Sequence, residues 1–462
     1  METEKIRAVW TQPWFWRLWL VTTAVSMSST FQVYHTAIIN NLFDAARPML
    51  RRHYQSNDSS IIHAWAIMTS SVLFGKFIGT IAGAKLADTL GRRTTMIIVN
   101  VLLIIGGIMN GPVELLDCFW LATIARLVIG IGSGAGIVIS ILMITESAPI
   151  AHRGYFGSLT NIFFGLGDLL SLLISMPYLM GTEQLWPWAM AVGCACAPAC
   201  LIVTLLYPES PRYLYLTRKD RVAACRAIVV YQGEHNLAET ERDLEKEQLA
   251  SEGRKTTLRS LLAERPERRA LLISVMLELG CQLSGIAAIM AYSTTIFEQS
   301  GAGHKAAALG TLAMGVVKFL SGFNVSPLLD RHGRIPVLIF GFNLVGTANI
   351  LISLIYFIMP SSPFTFYITV LLLCINMFGY SYLNSATQVL EGELFDQRAR
   401  AQGALVSKAV CWLGACVISI FFLPICISIG VGWSMLPLAL TCYATSLFAK
   451  FFIPETQRNK KI

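Results

Sequence analysis

Charge is scarce in this sequence. Only 14% of its 462 residues are Asp, Glu, Lys or Arg, while 54% are hydrophobic and the mean hydropathy is +0.58. A soluble domain carries roughly a quarter of its residues as charges, so that class is excluded. Constellations that carry chemistry are equally thin. No Ser-His-Asp or nucleotide-binding set stands at suitable spacing, which argues against an enzyme. Gly130, Gly132, Gly134 and Gly136 are followed by no P-loop lysine, so they read as sites of close helix contact rather than a phosphate cradle. The eleven cysteines have no His or carboxylate around them to complete a metal site. Even the crowded Cys194, Cys196 and Cys200 read as packing residues, and neither metal nor cofactor is expected.

What the sequence has in abundance is long apolar runs. A spanning helix needs about 20 mostly apolar residues, and such runs recur at 18–41, 61–86, 94–112, 118–141, 154–177, 186–207, 269–296, 305–329, 336–359, 364–390, 403–428 and 431–453. The polar segment Met1–Gln12 leads into the first run without a small-residue cleavage site, which reads as a retained first helix. The expected fold class is therefore an all-α membrane protein of twelve transmembrane helices.

The net charge of +8 does not point to nucleic acid, because the basic residues gather in particular loops. Arg92 and Arg93, Arg153, Arg331 and Arg334, and Arg398 and Arg400 follow alternate spans, and Arg212, Arg218, Lys219 and Arg221 follow the sixth. The positive-inside rule places those loops and both termini in the cytoplasm. Arg47, Arg51 and Arg52 on the opposite side run against the rule, yet that loop also holds Asn57-Asp58-Ser59, a glycosylation sequon suited to an outward loop.

An internal repeat organises the chain. Asp88-Thr89-Leu90-Gly91-Arg92-Arg93 is echoed by Asp330-Arg331-His332-Gly333-Arg334. Glu146 with Arg153 recurs as Glu393 with Arg400, and Pro208-Glu209-Ser210-Pro211-Arg212 recurs as Pro454-Glu455-Thr456-Gln457-Arg458. Three motifs in one order at nearly one offset predict two six-helix halves, 1–207 and 269–453. A cytoplasmic linker with short helices, 208–268, joins them, and a tail, 454–462, follows. A Glu at a helix end facing an Arg from a neighbouring loop forms a charge-assisted bond, and such bonds bias an equilibrium between two states when they exist in only one of them.

These motifs, together with Gln282-Leu283-Ser284-Gly285-Ile286 and Tyr292-Ser293-Thr294-Thr295-Ile296-Phe297, resemble the facilitative glucose transporters, the sugar porter branch of the major facilitator superfamily. The resemblance covers nearly the whole chain. It implies the major facilitator fold, a small-molecule solute crossing the bilayer, and a single chain as the functional unit in the cell membrane. It also implies a cytoplasmic gating network of Asp88, Arg92, Arg93, Arg126, Glu146, Arg153, Glu209, Arg212, Asp330, Arg331, Arg334, Glu393, Arg400 and Glu455. The implied solute site draws on Asn161, Gln282, Lys318, Gln388 and Trp412. Here the sequence departs from the pattern: Cys281 and Ala287 stand where the family has amides, and Lys318 takes the place of a sugar-binding asparagine.

Ionisable residues inside spans cost several kcal/mol by insertion scales of about 2.5–3.5, so His35, Lys76, Asp168, Glu278, Lys318 and Lys408 each call for a role. The structural alternative is a buried pair or a side chain reaching the interface. Lys318 is expected either to attract an anionic solute or to pair with Glu278. His35 stands where proton-coupled relatives carry an aspartate and is a proton-coupling candidate. Three classes follow: a carrier of a hexose or related polyol, favoured by the gating motifs; an organic-anion or proton-coupled carrier, favoured by Lys318, Lys408 and His35; and a non-transporting membrane sensor, favoured by the altered site.

Overall fold

The computed structural model describes residues 12–54, 57–149, 152–251, 258–359, 362–395 and 399–453, apart from some side chains within the helices. All regular structure among them is helical. Eleven helices are long and apolar enough to cross a membrane, and a further 25-residue helix, Pro13–Ala37, precedes them. The second to sixth spans are Asp58–Leu90, Arg92–Asn110, Phe119–Ser147, Arg153–Ile174 and Trp186–Leu206. The second half runs Arg265–Gln299, His304–His332, Arg334–Ile358, Pro363–Leu394, Arg400–Ile429 and Val431–Phe452. Between the halves lie four short helices, Pro211–Leu216, Arg221–Gln232, Leu237–Ser251 and Leu258–Ala263.

Local departures from the expected spans have physical causes. The first helix starts at Pro13 because a proline in the opening turn has its φ preset and no N–H to leave unbonded. It ends at Ala37, and the chain tightens into a 3-10 turn, Ile38–Asn41, before a surface helix, Phe43–Tyr54. The seventh span is broken into Arg265–Leu283 and Ile286–Gln299 at Gly285, whose φ of 95° favours glycine. The sixth is interrupted between Val192 and Ala197.

The repeat is carried into the backbone. Gly91 and Gly333 sit at the same turn of each half with φ of 100° and 91° and ψ of 166° and 168°, a region that side chains avoid. Spans two and four meet backbone to backbone: a Cβ added to Gly75 would lie 2.8 Å from the Gly130 Cα, the contact that small residues permit between membrane helices.

The halves meet along two seams, span two against span eleven and span five against span eight. Their cores differ at the two ends. At the end bearing Asn40, one apolar cluster draws on both halves, with Ile38, Trp65 and Trp186 packed in the same core as Ile289, Tyr292 and Leu423. At the end bearing Gly91, one cluster around Val99, Ile139 and Ile228 takes only Ala287, Ala415 and Cys416 as buried members from the other half. A separate one around Phe342, Leu383 and Leu390 is drawn from the second half alone. The halves are thus packed together at the Asn40 end and part towards the Gly91 end.

Candidate functional site: a charged seam between two halves

Each half builds the same polar corner at its glycine turn. Arg92 donates to the Ala87 carbonyl at 3.0 Å and to Glu146 Oε1 at 3.0 Å. Arg334 donates to the Leu329 carbonyl at 3.2 Å and to Glu393 Oε1 at 3.2 Å. In the first half the corner is extended. Glu209 Oε1 accepts the backbone N–H groups of Arg92 and Arg93 at 2.9 Å each, so a carboxylate caps the start of span three, where the helix dipole favours it. Ser210 Oγ donates to Glu146 Oε2 at 2.5 Å, Arg212 pairs with Glu247 of the linker, and Arg93 donates to the carbonyls of Thr204 and Leu205. Asp88 lies 3.8 Å from Arg92 one turn away. Glu146 is therefore held within its own half, and Arg331 and Arg400 are exposed. The side chains of Arg153, Asp330 and Asn161, and Glu455, lie outside the described residues.

Along the seams the intramembrane charges find partners. Lys318 of span eight donates to Asp168 Oδ2 of span five at 2.5 Å, an ion pair that joins the halves, and stands 5.9 Å from the Tyr380 ring. Glu278, the partner considered from sequence, is taken instead by Lys408, whose ammonium also lies 3.3 Å from Glu391. Ser274 donates to Glu391 at 3.0 Å. Lys76 of span two is 1% exposed; it donates to Thr36 Oγ1 at 2.6 Å and lies 4.5 Å from the Trp412 ring on span eleven. Gln282 stands beside the break in span seven, with its Nε2 3.1 Å from Cys411 Sγ. Gln388 is exposed.

At the Asn40 end, amides take the place of charge. Asn40 donates to the Met290 carbonyl at 2.8 Å and Ser293 Oγ at 2.7 Å, and accepts the Thr294 N–H at 2.9 Å. Asn41 accepts from Thr294 Oγ1 at 2.5 Å. Beside them His304 Nδ1 bridges Glu298 at 2.6 Å and Asp44 at 3.2 Å, and that bond holds the Asp44 carboxyl below its ordinary range. Among the described residues these three are the group whose donor atoms crowd within 4.8 Å of one another. His35 is wholly buried, with Nε2 3.3 Å from Cys194 Sγ. Arg126, also wholly buried, donates to the carbonyls of His35, Met68 and Thr69 and so ties spans one, two and four together. Asn57 is exposed and caps the helix Asp58–Leu90, accepting from the Ser60 N–H at 3.4 Å.

Sequence reasoning named Lys76, Asp168, Glu278, Lys318 and Lys408 as intramembrane charges but not who holds whom. It passed over Glu391, which falls one residue beyond the expected tenth span, and Asn40 and Asn41, two adjacent amides at the end of an apolar run. An amide pair in that position is the signal that was available.

Comparison with known proteins agrees with this architecture. Residues 21–460 match the model of a family described as Sugar (and other) transporter. The chain is 27% identical over 450 residues to the human solute carrier family 2 facilitated glucose transporter member 7, covering 95% of this chain and 88% of that one. It is 27% identical to member 5 from Ovis aries, with 95% and 89% covered. With the glucose transporter GlcP of Staphylococcus epidermidis it shares 28% over 394 residues, 85% of each chain. Among solved structures, the xylose transporter XylE from E. coli in a partially occluded inward open conformation superposes with a TM-score of 0.80 at 20% identity, over 95% of this chain and 100% of that one. That likeness shows the fold. The match spans nearly the whole sequence, two six-helix halves meet on a charged seam, and the chain belongs to the sugar (and other) transporter family, a membrane carrier of the major facilitator fold rather than an enzyme.

Proposed function

We propose that this protein carries a hexose or related polyol across the cell membrane by alternating access, with the Gly91 end and both termini in the cytoplasm. One observation carries the reading: the halves share a core at the Asn40 end and keep largely separate cores at the Gly91 end, with polar groups lining the seam between. A carrier open on one side has this asymmetry, since its solute site lies near the midplane between the repeats. The arginines Arg92, Arg93, Arg212, Arg331, Arg334 and Arg400 collect at the open end, which supports a cytoplasmic assignment, and the exposed Asn57 lies at the other, where glycosylation takes place.

In this reading the solute enters beside Gln282 and Trp412, where an amide offers donor and acceptor together and an aromatic face receives the apolar side of a sugar ring. Opening outward requires the bonds of Asn40 and Asn41 to Thr294 to break and the two arginine corners to approach. The Asn40 and Asn41 bonds exist only in the state closed at that end, and contacts between the two corners only in the other, so the balance between states is set by their difference. The glucose-transporting relatives support the solute class. The test is uptake of labelled hexoses into liposomes carrying the purified protein, at two external pH values. Saturable flux indifferent to pH is expected. A steep pH dependence would overturn the facilitative mechanism, and absence of any saturable sugar or sugar-derivative flux would sink the reading.

A further inference from the structure

Positive charge outnumbers negative where the halves meet. Lys318, Lys76 and Arg126 lie on the seam or just behind it, and the carboxylate that acts on Lys318 and Lys76 is Asp168, which is bonded to Lys318. Glu278 and Glu391 are held by Lys408, with Ser274 also donating to Glu391. Arg126 is satisfied by backbone carbonyls, which accept hydrogen bonds without cancelling its charge. Lys76 itself bonds to a hydroxyl and faces an indole ring, both neutral, while Asp168 acts on it from a distance and is bonded to Lys318. A buried ammonium among neutral groups is costly unless an anion joins it.

A second orphan stands beside it. The Nε1 of Trp412, the ring under the Lys76 ammonium, is sealed from solvent and has no acceptor among the described residues. The ammonium of one half lies over the face of the ring and the indole N–H of the other at its edge, two donors within reach of one oxygen-bearing group. Gln282, on the same side of the seam through Cys411, adds an amide. Neutral sugar hydroxyls would satisfy the indole N–H but leave Lys76 and Lys318 to share the single carboxylate of Asp168. A carboxylate satisfies both, with charge-assisted bonds to the ammonium.

We propose that the transported polyol is an acid: a sugar acid of hexose size, whose carboxylate is taken by Lys76 and the Trp412 N–H while its hydroxyls face Gln282. This rests on the reading of the chain as a carrier of polyhydroxylated solutes and names the chemical class within it. Lys76 is then the specificity-determining residue, selecting the acid over the neutral sugar.

The experiment is counterflow of labelled glucuronate and, separately, labelled glucose in liposomes carrying the full chain, with the wild type, Lys76→Gln and Lys76→Arg. Expected is saturable glucuronate exchange by the wild type. Lys76→Gln should raise the KM for glucuronate at least about tenfold, the loss of one charge-assisted bond, and Lys76→Arg should recover most of it. Should Lys76→Gln fail to fold, stabilisation of the wild type against heat supplies the second readout. Glucuronate should raise its unfolding temperature by more than glucose does at the same concentration, and an equal or smaller rise would overturn the preference for the acid. Exchange of glucose with no exchange or competition by glucuronate would overturn the acid and leave the sugar carrier standing. Exchange of neither would overturn both. Glucuronate exchange with an unaltered KM in Lys76→Gln would remove Lys76 from the site.

Discussion

Lys318 and Asp168, 150 positions apart in the chain, face each other at 2.5 Å across the boundary between the two halves. The pair lies along the seam of spans five and eight, with the Asp168 side chain 4% exposed and that of Lys318 20%. A charge left behind there has little water to turn to.

Breaking that pair from one side should cost more than removing it. Asp168→Asn alone should destabilise the protein by about 3–5 kcal/mol, the usual penalty of an uncompensated buried charge. The double change Asp168→Asn with Lys318→Met should recover a large part. Thermal unfolding of the four proteins in detergent measures the coupling, and additive losses would show that the two residues act independently.

The twin corners at Arg92 and Arg334 make a second prediction. Glu146→Gln and Glu393→Gln each weaken a charge-assisted bond worth about 1.5–3 kcal/mol. If these corners govern the balance of states, each change should slow transport by roughly tenfold or more while surface expression stays near normal. Disappearance of the protein from the membrane would instead mark the corners as structural.

Gly91 and Gly333 share a backbone conformation that other residues adopt only under strain. Alanine at either should cost about 1–3 kcal/mol, read as a fall in unfolding temperature. At Gly91 the added Cβ would also press on Tyr213 Cε1 at 2.9 Å. Equal tolerance of alanine at Gly91 and at Gly157, where a Cβ meets open space, would refute the assignment.

Asn40 makes three bonds to span seven from the other half. Asn40→Ala removes all three of these bonds between the halves, a loss of about 1–3 kcal/mol, and only in the state closed at this end. That should shift the balance toward opening there by about 5- to 100-fold. A cysteine placed at Ala288, buried beside the shared core, should then react faster with an impermeant thiol reagent added outside. No change in rate would mean that Asn40 does not hold the closure.

The sequence by itself determined the fold class, because composition and the recurrence of apolar runs are one-dimensional properties that the bilayer reads directly. It determined the two halves as well. Gly91 and Gly333 keep the same offset as Arg92 and Arg334, and a repeated backbone turn needs a repeated glycine. It also marked which buried residues were charged, since each such residue stands out against an apolar run. What only the tertiary structure decided was pairing. Lys318 faces Asp168 rather than Glu278, Lys408 takes Glu278 and Glu391, and Lys76 meets Trp412 with no carboxylate of its own. Pairing depends on which faces of spans two, five, eight and eleven meet at the seams. Helix rotation and contact between segments hundreds of residues apart are set by packing, which no local pattern of the chain encodes.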